Sequence, residues 1–388
     1  MSVFYIPSDL ATVPFDFDVP LFHLTVQLTP ENYNSFNDKP DLLNNIRLRF
    51  FTGVPSSYPR FDPKSWPYNL IAPPEHNLIV PINNPQFQDF DTLTDLRAME
   101  LKCRAEKYEK VYLFYSGGID STIMLCSLLK NWNSAELSKL VVVLNQNSID
   151  EYPLMFREYI LDKLSTVSTD DFYSGKYIFD NGSIYTSSAC ADCIFGYQEM
   201  PDFDEKFPDS YLLSWKKNKD ILIQYLGSRA KTIESGVFAF ETIAHSLEKH
   251  NINTETIFDF LSWFPFNWGY NLGVYVLTRS FGCLSNSVDS KKWISENYFG
   301  FYNTIGYQYW FLGTIGTDQR IQTTANSYKY AGKKYILDFN HDMDYFNNKL
   351  KIKSTPLNPQ DHLQPKLYAV DANYNMHYQQ APVTPWAK

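Results

Sequence analysis

The sequence predicts a doubly wound α/β fold on a mainly parallel sheet, with a helical C-terminal part and a small N-terminal β or mixed cap. Three observations carry this. Residues 111–115 are a short apolar and aromatic run, residues 116–121 read Ser-Gly-Gly-Ile-Asp-Ser, and Ile123, Met124, Leu128 and Leu129 then recur at helical spacing. Residues 140–144, Leu-Val-Val-Val-Leu, form the continuous apolar run of a strand buried on both faces of a parallel sheet. Between residues 209 and 302, apolar side chains return every three or four positions, as in a run of helices.

Residues 1–90 are rich in Pro, Asn and aromatics, with strand candidates at 21–28, 46–51 and 77–81 separated by turn signals, and read as the cap. An amphipathic helix is expected from 89 to 109, with Leu93, Leu96, Met99 and Ala105 on one side. After the strand at 140–144 comes the polar stretch Asn145-Gln146-Asn147-Ser148, read as a loop with Ser148 as helix cap, and a helix at 149–164. Strands follow near 177–179 and 183–186. Residues 258–275 hold Trp263, Phe264, Phe266, Trp268 and Tyr270. These could stack a base or sugar, but at helical spacing they read first as core. Residues 355–388 carry Pro356, Pro359, Pro365, Pro382 and Pro385, and read as an extended tail.

The 388 residues give room for two domains or one large one, and a net charge of -9 offers no whole-chain case for nucleic acid or an anionic membrane. The five cysteines, Cys103, Cys126, Cys190, Cys193 and Cys283, are odd in number, which favours reduced thiols. Without a basic leader before an apolar core, or an apolar run of membrane length, a soluble cytoplasmic protein is expected.

The chemistry concentrates at residues 116–121. A strand that turns through two glycines into a helix leaves backbone N–H groups unpaired at the helix start, with the positive end of its dipole behind them. That is an anion site. Gly117 and Gly118 let a phosphate approach the backbone, Ser116, Ser121 and Thr122 add hydroxyls, and Asp120 can hold a metal ion beside the phosphates.

Ser-Gly-Gly-Ile-Asp-Ser in this setting resembles the pyrophosphate-binding loop of the PP-loop ATP pyrophosphatases, a superfamily that includes asparagine synthetases and nucleobase-modifying enzymes. The resemblance implies an adenine nucleotide alpha hydrolase-like fold, ATP and Mg2+ as cofactors, and Leu144 and Asn145 at the adenine and ribose. Residues 187–197 resemble an asparagine-synthetase segment whose central Asp, here Asp192, helps bind magnesium with Asp120. A late lysine that reaches the ATP phosphates is matched by Lys334, with Lys333 next. On this reading residues 1–90 are the cap, 91–205 the PP-loop domain, 206–354 the helical acceptor-substrate part and 355–388 the tail.

The implied activity is an AMP-forming ligase or amidotransferase. ATP adenylylates a substrate oxygen with release of pyrophosphate, and ammonia or another amine then displaces AMP. Departures from the family weaken ordinary aspartate amidation: Ala189 and Cys193 stand where the family has Glu, and Ser2 replaces the glutaminase cysteine, so no glutamine-derived ammonia is expected. The pair Cys190 and Cys193 leaves open a redox couple, half a zinc site or packed thiols. The alternative is a PP-loop enzyme that modifies a nucleobase in tRNA, DNA or a free deazapurine precursor by amine or sulfur transfer.

Overall fold

The computed structural model describes residues 2–6, 24–28, 89–172, 182–189, 191–195, 199–230, 233–252, 254–268, 296–317, 320, 329–349, 366–370 and 376–379. The chain divides into two compact units, one of Val80–Pro201 and Lys292–Pro359, the other of Met1–Ile79, Asp202–Lys291 and Gln360–Lys388. The chain passes between the units near 80, 202, 292 and 360, and the return at 292 divides the stretch 206–354 between them.

The unit built from 80–201 and 292–359 carries the sheet. Its strands are β1 (Lys110–Phe114), β2 (Leu140–Leu144), β3 (Ser165–Ser168), β4 (Ser183–Ser187) and β5 (Tyr298–Gly300). They lie in the order β3-β2-β1-β4-β5, with every neighbouring pair parallel. This is an α/β fold. The order reverses about β1, so right-handed crossovers on its two sides lead the connections to opposite faces. Val111 pairs with Leu140 on one side and Ile184 on the other, and Tyr112 stacks on Tyr185 at 5.2 Å between ring centres.

Helices α1 (Phe90–Ala105) and α2 (Ile119–Asn131) flank β1 in sequence. Asp89 caps α1 by accepting from the Asp91 and Thr92 amides. The face that α1 buries shares Leu93 and Ala105 with the expected one but not its other two residues. Phe90, Leu93, Ala98, Leu101 and Ala105 are buried, whereas Leu96 and Met99 are exposed. Arg97 is buried among them because its guanidinium donates to the carbonyls of Phe301 and Gly300 and lies 4.0 Å over the Phe299 ring. Charge-assisted bonds of this kind offset its desolvation, so a charged residue takes a position that a hydrophobic pattern assigns to the surface.

The helix expected at 149–164 is broken. Helix α3 (Gln146–Glu151) ends before Pro153, which cannot continue a helical ladder. Its cap is Asn145 rather than Ser148, with the Asn145 side chain accepting from the Ser148 amide at 3.0 Å. Strand β3 gave little sequence signal: of Ser-Thr-Val-Ser only Val167 is buried. The strand expected near 183–186 is present as β4, and the one near 177–179 lies outside the described residues. The unit is completed by α4 (Ala191–Phe195), α5 (Ile305–Thr314), α6 (Tyr330–Asn340) and α7 (Met343–Asn348).

In the other unit, Ser2–Ile6, Leu24–Leu28, Lys366–Val370 and Met376–Gln379 form a four-stranded antiparallel sheet, so part of the expected tail is strand. The candidates at 46–51 and 77–81 lie outside the described residues. Helices at Lys219–Ala230, Ile233–Lys249 and Ile257–Trp268 follow the predicted periodicity. Phe258, Phe260, Trp263, Phe264 and Phe266 are buried, and the Trp263 indole donates to Ser246 Oγ at 3.0 Å, so these aromatics are core, while Tyr270 lies outside the described residues. Among the described residues no helix is long and apolar enough to cross a membrane.

Candidate phosphate-loop site

The turn between β1 and α2 is held by its own hydroxyls. Gly117 sits at φ 73°, which glycine reaches without strain, and Gly118 is the helix cap with no side chain to fill it. Ser116 N donates to Ser121 Oγ at 3.1 Å, Ser121 Oγ donates to Gly118 O at 3.1 Å, and Gly118 N donates to Ser116 Oγ at 3.2 Å. Ser121 and Thr122 are fully buried, and the Thr122 hydroxyl lies 3.4 Å from that of Tyr115. The structure thus gives Ser121 the task of closing the turn and turns Thr122 inward. An anion would be met by the backbone at the start of α2, while the Gly118 amide and the Ser116 hydroxyl already bond to each other.

Space under the loop is filled from α3 and α7. A Cβ on Gly117 would meet Ser148 O at 2.3 Å and Glu151 Cβ at 2.9 Å, and Tyr345 donates its hydroxyl to Gly117 O at 3.4 Å. Tyr345 stacks on Tyr152 at 3.7 Å between ring centres, and Tyr152 donates to Asp342, the cap of α7. Glu151, whose Oε1 lies near Gly118, is paired with Lys349 at 2.6 Å, with both side chains almost fully buried. A buried carboxylate beneath an anion loop would repel a phosphate, and Lys349 neutralises it. Removing one partner strands the other charge, so Lys349→Met is expected to destabilise the fold by about 3–5 kcal/mol in denaturant unfolding. The double variant Glu151→Gln/Lys349→Met should recover much of that loss.

Asp120 and Asp192 converge. They come from the first turns of α2 and α4, the helices that follow β1 and β4, the two strands that flank the reversal of strand order, where α/β sheets open a crevice at their carboxyl ends. One ammonium joins them: Lys329 Nζ donates to Asp120 Oδ1 and Oδ2 at 2.7 and 2.6 Å and to Asp192 Oδ1 at 2.8 Å. Lys329 is 5 % exposed, and Nζ lies 5.6 Å from the Phe195 ring centre, a ring packed against Phe90, Tyr302 and Trp310. Tyr302 further fixes the start of α2 by donating to Asp120 O at 2.8 Å. The buried Arg320 donates to Ile194 O at 3.2 Å and anchors α4.

The late lysines divide by helix face. Lys329 immediately precedes α6, and Lys333, one turn on, is also buried. Burial first, then the charges of Lys349 and Lys329, push the Lys333 ammonium down from 10.5 to about 8. Gly332 brings α6 against α2, since a Cβ there would meet Ile123 Cδ1 at 2.5 Å. Lys334, the lysine that the sequence match places at the phosphates, is instead half-exposed and pairs with Asp338 on the next turn, which raises its pKa. The signal for Lys329 was present four residues before the pair that drew the match. Glu151, Lys349 and Tyr345 gave none, because their roles come from long-range packing.

Leu144 is buried at the end of β2, and the Asn145 side-chain oxygen accepts from the Ser148 amide and hydroxyl. Both stand on the strand beside β1, so the structure brings them to the edge where the loop lies. Cys193 is a buried thiol in α4, and Cys190 lies outside the described residues. Asp338 and Asp342 are engaged with Lys334 and with α7. Among the described residues no group of three or more His, Cys, Asp or Glu converges as a metal site. Two carboxylates around one cation do fit Mg2+, which is held by one or two carboxylates and completes its shell with phosphate oxygens and water.

Comparison with protein-family models, curated proteins and solved structures found no match to this chain.

Proposed function

We propose that the chain is an ATP-dependent, AMP-forming enzyme of the PP-loop type, with the adenine nucleotide alpha hydrolase-like variant of the α/β fold. The observation that carries the reading is the convergence on Lys329 of Asp120, at the start of the helix after the glycine turn, and Asp192, at the start of the helix across the strand-order reversal. A glycine turn alone is an anion site, but two carboxylates and a buried lysine beside it match a polyphosphate that arrives with a divalent cation. The backbone amides at the start of α2 would take the β and γ phosphates, with the Gly118 amide and the Ser116 hydroxyl turning from each other to join them. Asp120 and Asp192 would hold Mg2+, which neutralises charge on the triphosphate. The purine would lie against Leu144 and Asn145.

In the reaction, an acceptor oxygen, taken here as a carboxylate, forms a bond to the α-phosphorus while the bond to the oxygen bridging to the β-phosphorus breaks. Pyrophosphate leaves with the electron pair. An amine then attacks the acyl carbon, loses a proton and displaces AMP. The amides of the turn hold the leaving pyrophosphate, and the Lys329 ammonium counters charge that builds on the α-phosphoryl oxygens. Most of the rate would come from positioning and electrostatics.

The test is product identity from ATP with carboxylic acids plus ammonia, run beside uridine- and deazaguanine-type acceptors. AMP and pyrophosphate with the first set support this reading, and with the second set the nucleobase alternative. ADP would overturn both.

A pH signature accompanies it. A lysine with its folded pKa near 8 and its unfolded value near 10.5 binds more protons when unfolded, so its contribution to stability rises with pH across that window. The same deprotonation removes a positive charge near the triphosphate. Nucleotide affinity should therefore fall above about pH 8 while stability does not, and Lys333→Met should flatten both trends in paired binding and unfolding titrations.

A further inference from the structure

Lys329 stands where the metal would. Its ammonium is within hydrogen-bond distance of both Asp120 and Asp192, so a divalent cation cannot take those oxygens while it remains. The ammonium is also held against two opposing fields. It precedes the N-terminus of α6, where the helix dipole disfavours a cation, and Lys333 lies close enough to feel its charge. The two carboxylates offset both, and a bare cation that displaced the ammonium would push one positive charge towards others. A polyphosphate changes the balance, because it supplies anionic oxygens for the cation and the ammonium at once.

We propose that Lys329 is a built-in counter-ion that closes the Asp120–Asp192 pair to free divalent cations and yields it only when a nucleotide polyphosphate arrives. This rests on the ATP reading above for the identity of the polyphosphate. Metal and nucleotide would then bind with positive coupling, which is reciprocal by necessity. The ammonium would move from the carboxylates to the phosphates as the site fills, and the charge used in catalysis would be the one that guards the empty site.

Titration of the full chain with Mn2+ alone, followed by electron paramagnetic resonance, tests this. The wild type should bind Mn2+ weakly, and Lys329→Gln should bind it at least about tenfold more tightly, within the usual range of coupling between sites. The gain should vanish in Lys329→Gln/Asp192→Asn, and Lys329→Arg should keep the wild-type exclusion. Equal Mn2+ affinity in wild type and in folded Lys329→Gln overturns the proposal. So does submillimolar Mn2+ binding by the wild type that Asp192→Asn removes, an outcome that needs no charge-deleted lysine variant to fold. A Lys329→Gln gain in Mn2+ affinity, together with failure of the wild type to bind α,β-methylene-ATP with Mn2+, would uphold the counter-ion and overturn the ATP reading.

Discussion

Replacing Lys329 with methionine is expected to lower AMP formation from ATP by about 10²–10³-fold in kcat, the range for losing one pre-aimed charge stabiliser in a water-poor site. The expectation follows from three facts about this side chain. It is almost fully buried, it is oriented by two carboxylates from different helices, and it lies over the Phe195 ring with Trp310 and Tyr302 behind it. Release from the carboxylates as the site fills would present it to an α-phosphoryl group. Lys334→Met makes the contrast, because Lys334 is half-exposed and pairs with Asp338 along its own helix. Such pairs are worth about 0.3–0.5 kcal/mol, and turnover should stay near the wild-type rate. Lys329→Arg should keep the pairing with both carboxylates yet not the activity, since a wide planar fork cannot pass from them to an α-phosphoryl oxygen as a compact ammonium can. Steady-state kinetics of the three variants decides between the lysine that the sequence match selects and the one that the fold selects.

Gly117→Ala has the second large effect, and it acts on the fold and the site together. At φ 73° a side chain costs about 1–2 kcal/mol, and the added Cβ would lie 2.3 Å from the Ser148 carbonyl oxygen, a backbone atom of α3 with no rotamer to yield. Overpacking of this kind typically adds about 1–3 kcal/mol. A total near 3 kcal/mol should appear in denaturant unfolding, and the fraction that folds should have lost nucleotide binding, because relief of the clash moves the turn. Gly118→Ala is the milder neighbour. Its Cβ would meet Ser116 Oγ at 3.1 Å and Glu151 Oε1 at 3.5 Å, both side-chain atoms. That variant should keep most of its stability while it narrows the approach to the amides.

Much of the sheet was legible because parallel strands at its centre are apolar on both faces. Residues 111–115 and 140–144 stand out for that reason, and the glycine turn is marked by residue type. Edge strand β3 was not, since Ser-Thr-Val-Ser buries one side chain and carries no periodicity. Pro153 was the visible sign that a helix from 149 to 164 could not run through, and its weight was missed. At the site, Asp120 was marked by the glycine turn it closes, and Asp192 by the resemblance of residues 187–197 to an asparagine-synthetase segment. Choosing among the lysines needs the fold, because a match by neighbouring residues fixes a register only to within a turn, and Lys329, just before α6, and Lys333, one turn on, are buried while Lys334 is half-exposed. Glu151 and Lys349 were beyond reach for another reason. They are 198 positions apart, and nothing local marks either as buried.

The central claim is that the turn at residues 116–121 holds a nucleotide polyphosphate whose α-phosphate faces Lys329. Calorimetric titration of the full chain with α,β-methylene-ATP and Mg2+ tests it most directly, because that analogue keeps the charge and shape of ATP but cannot be cleaved between its α and β phosphates. The account predicts one site per chain, an affinity in the micromolar to millimolar range, displacement by pyrophosphate, and loss of binding in folded Gly117→Ala. No binding at millimolar nucleotide, or binding that Gly117→Ala leaves intact, would contradict it.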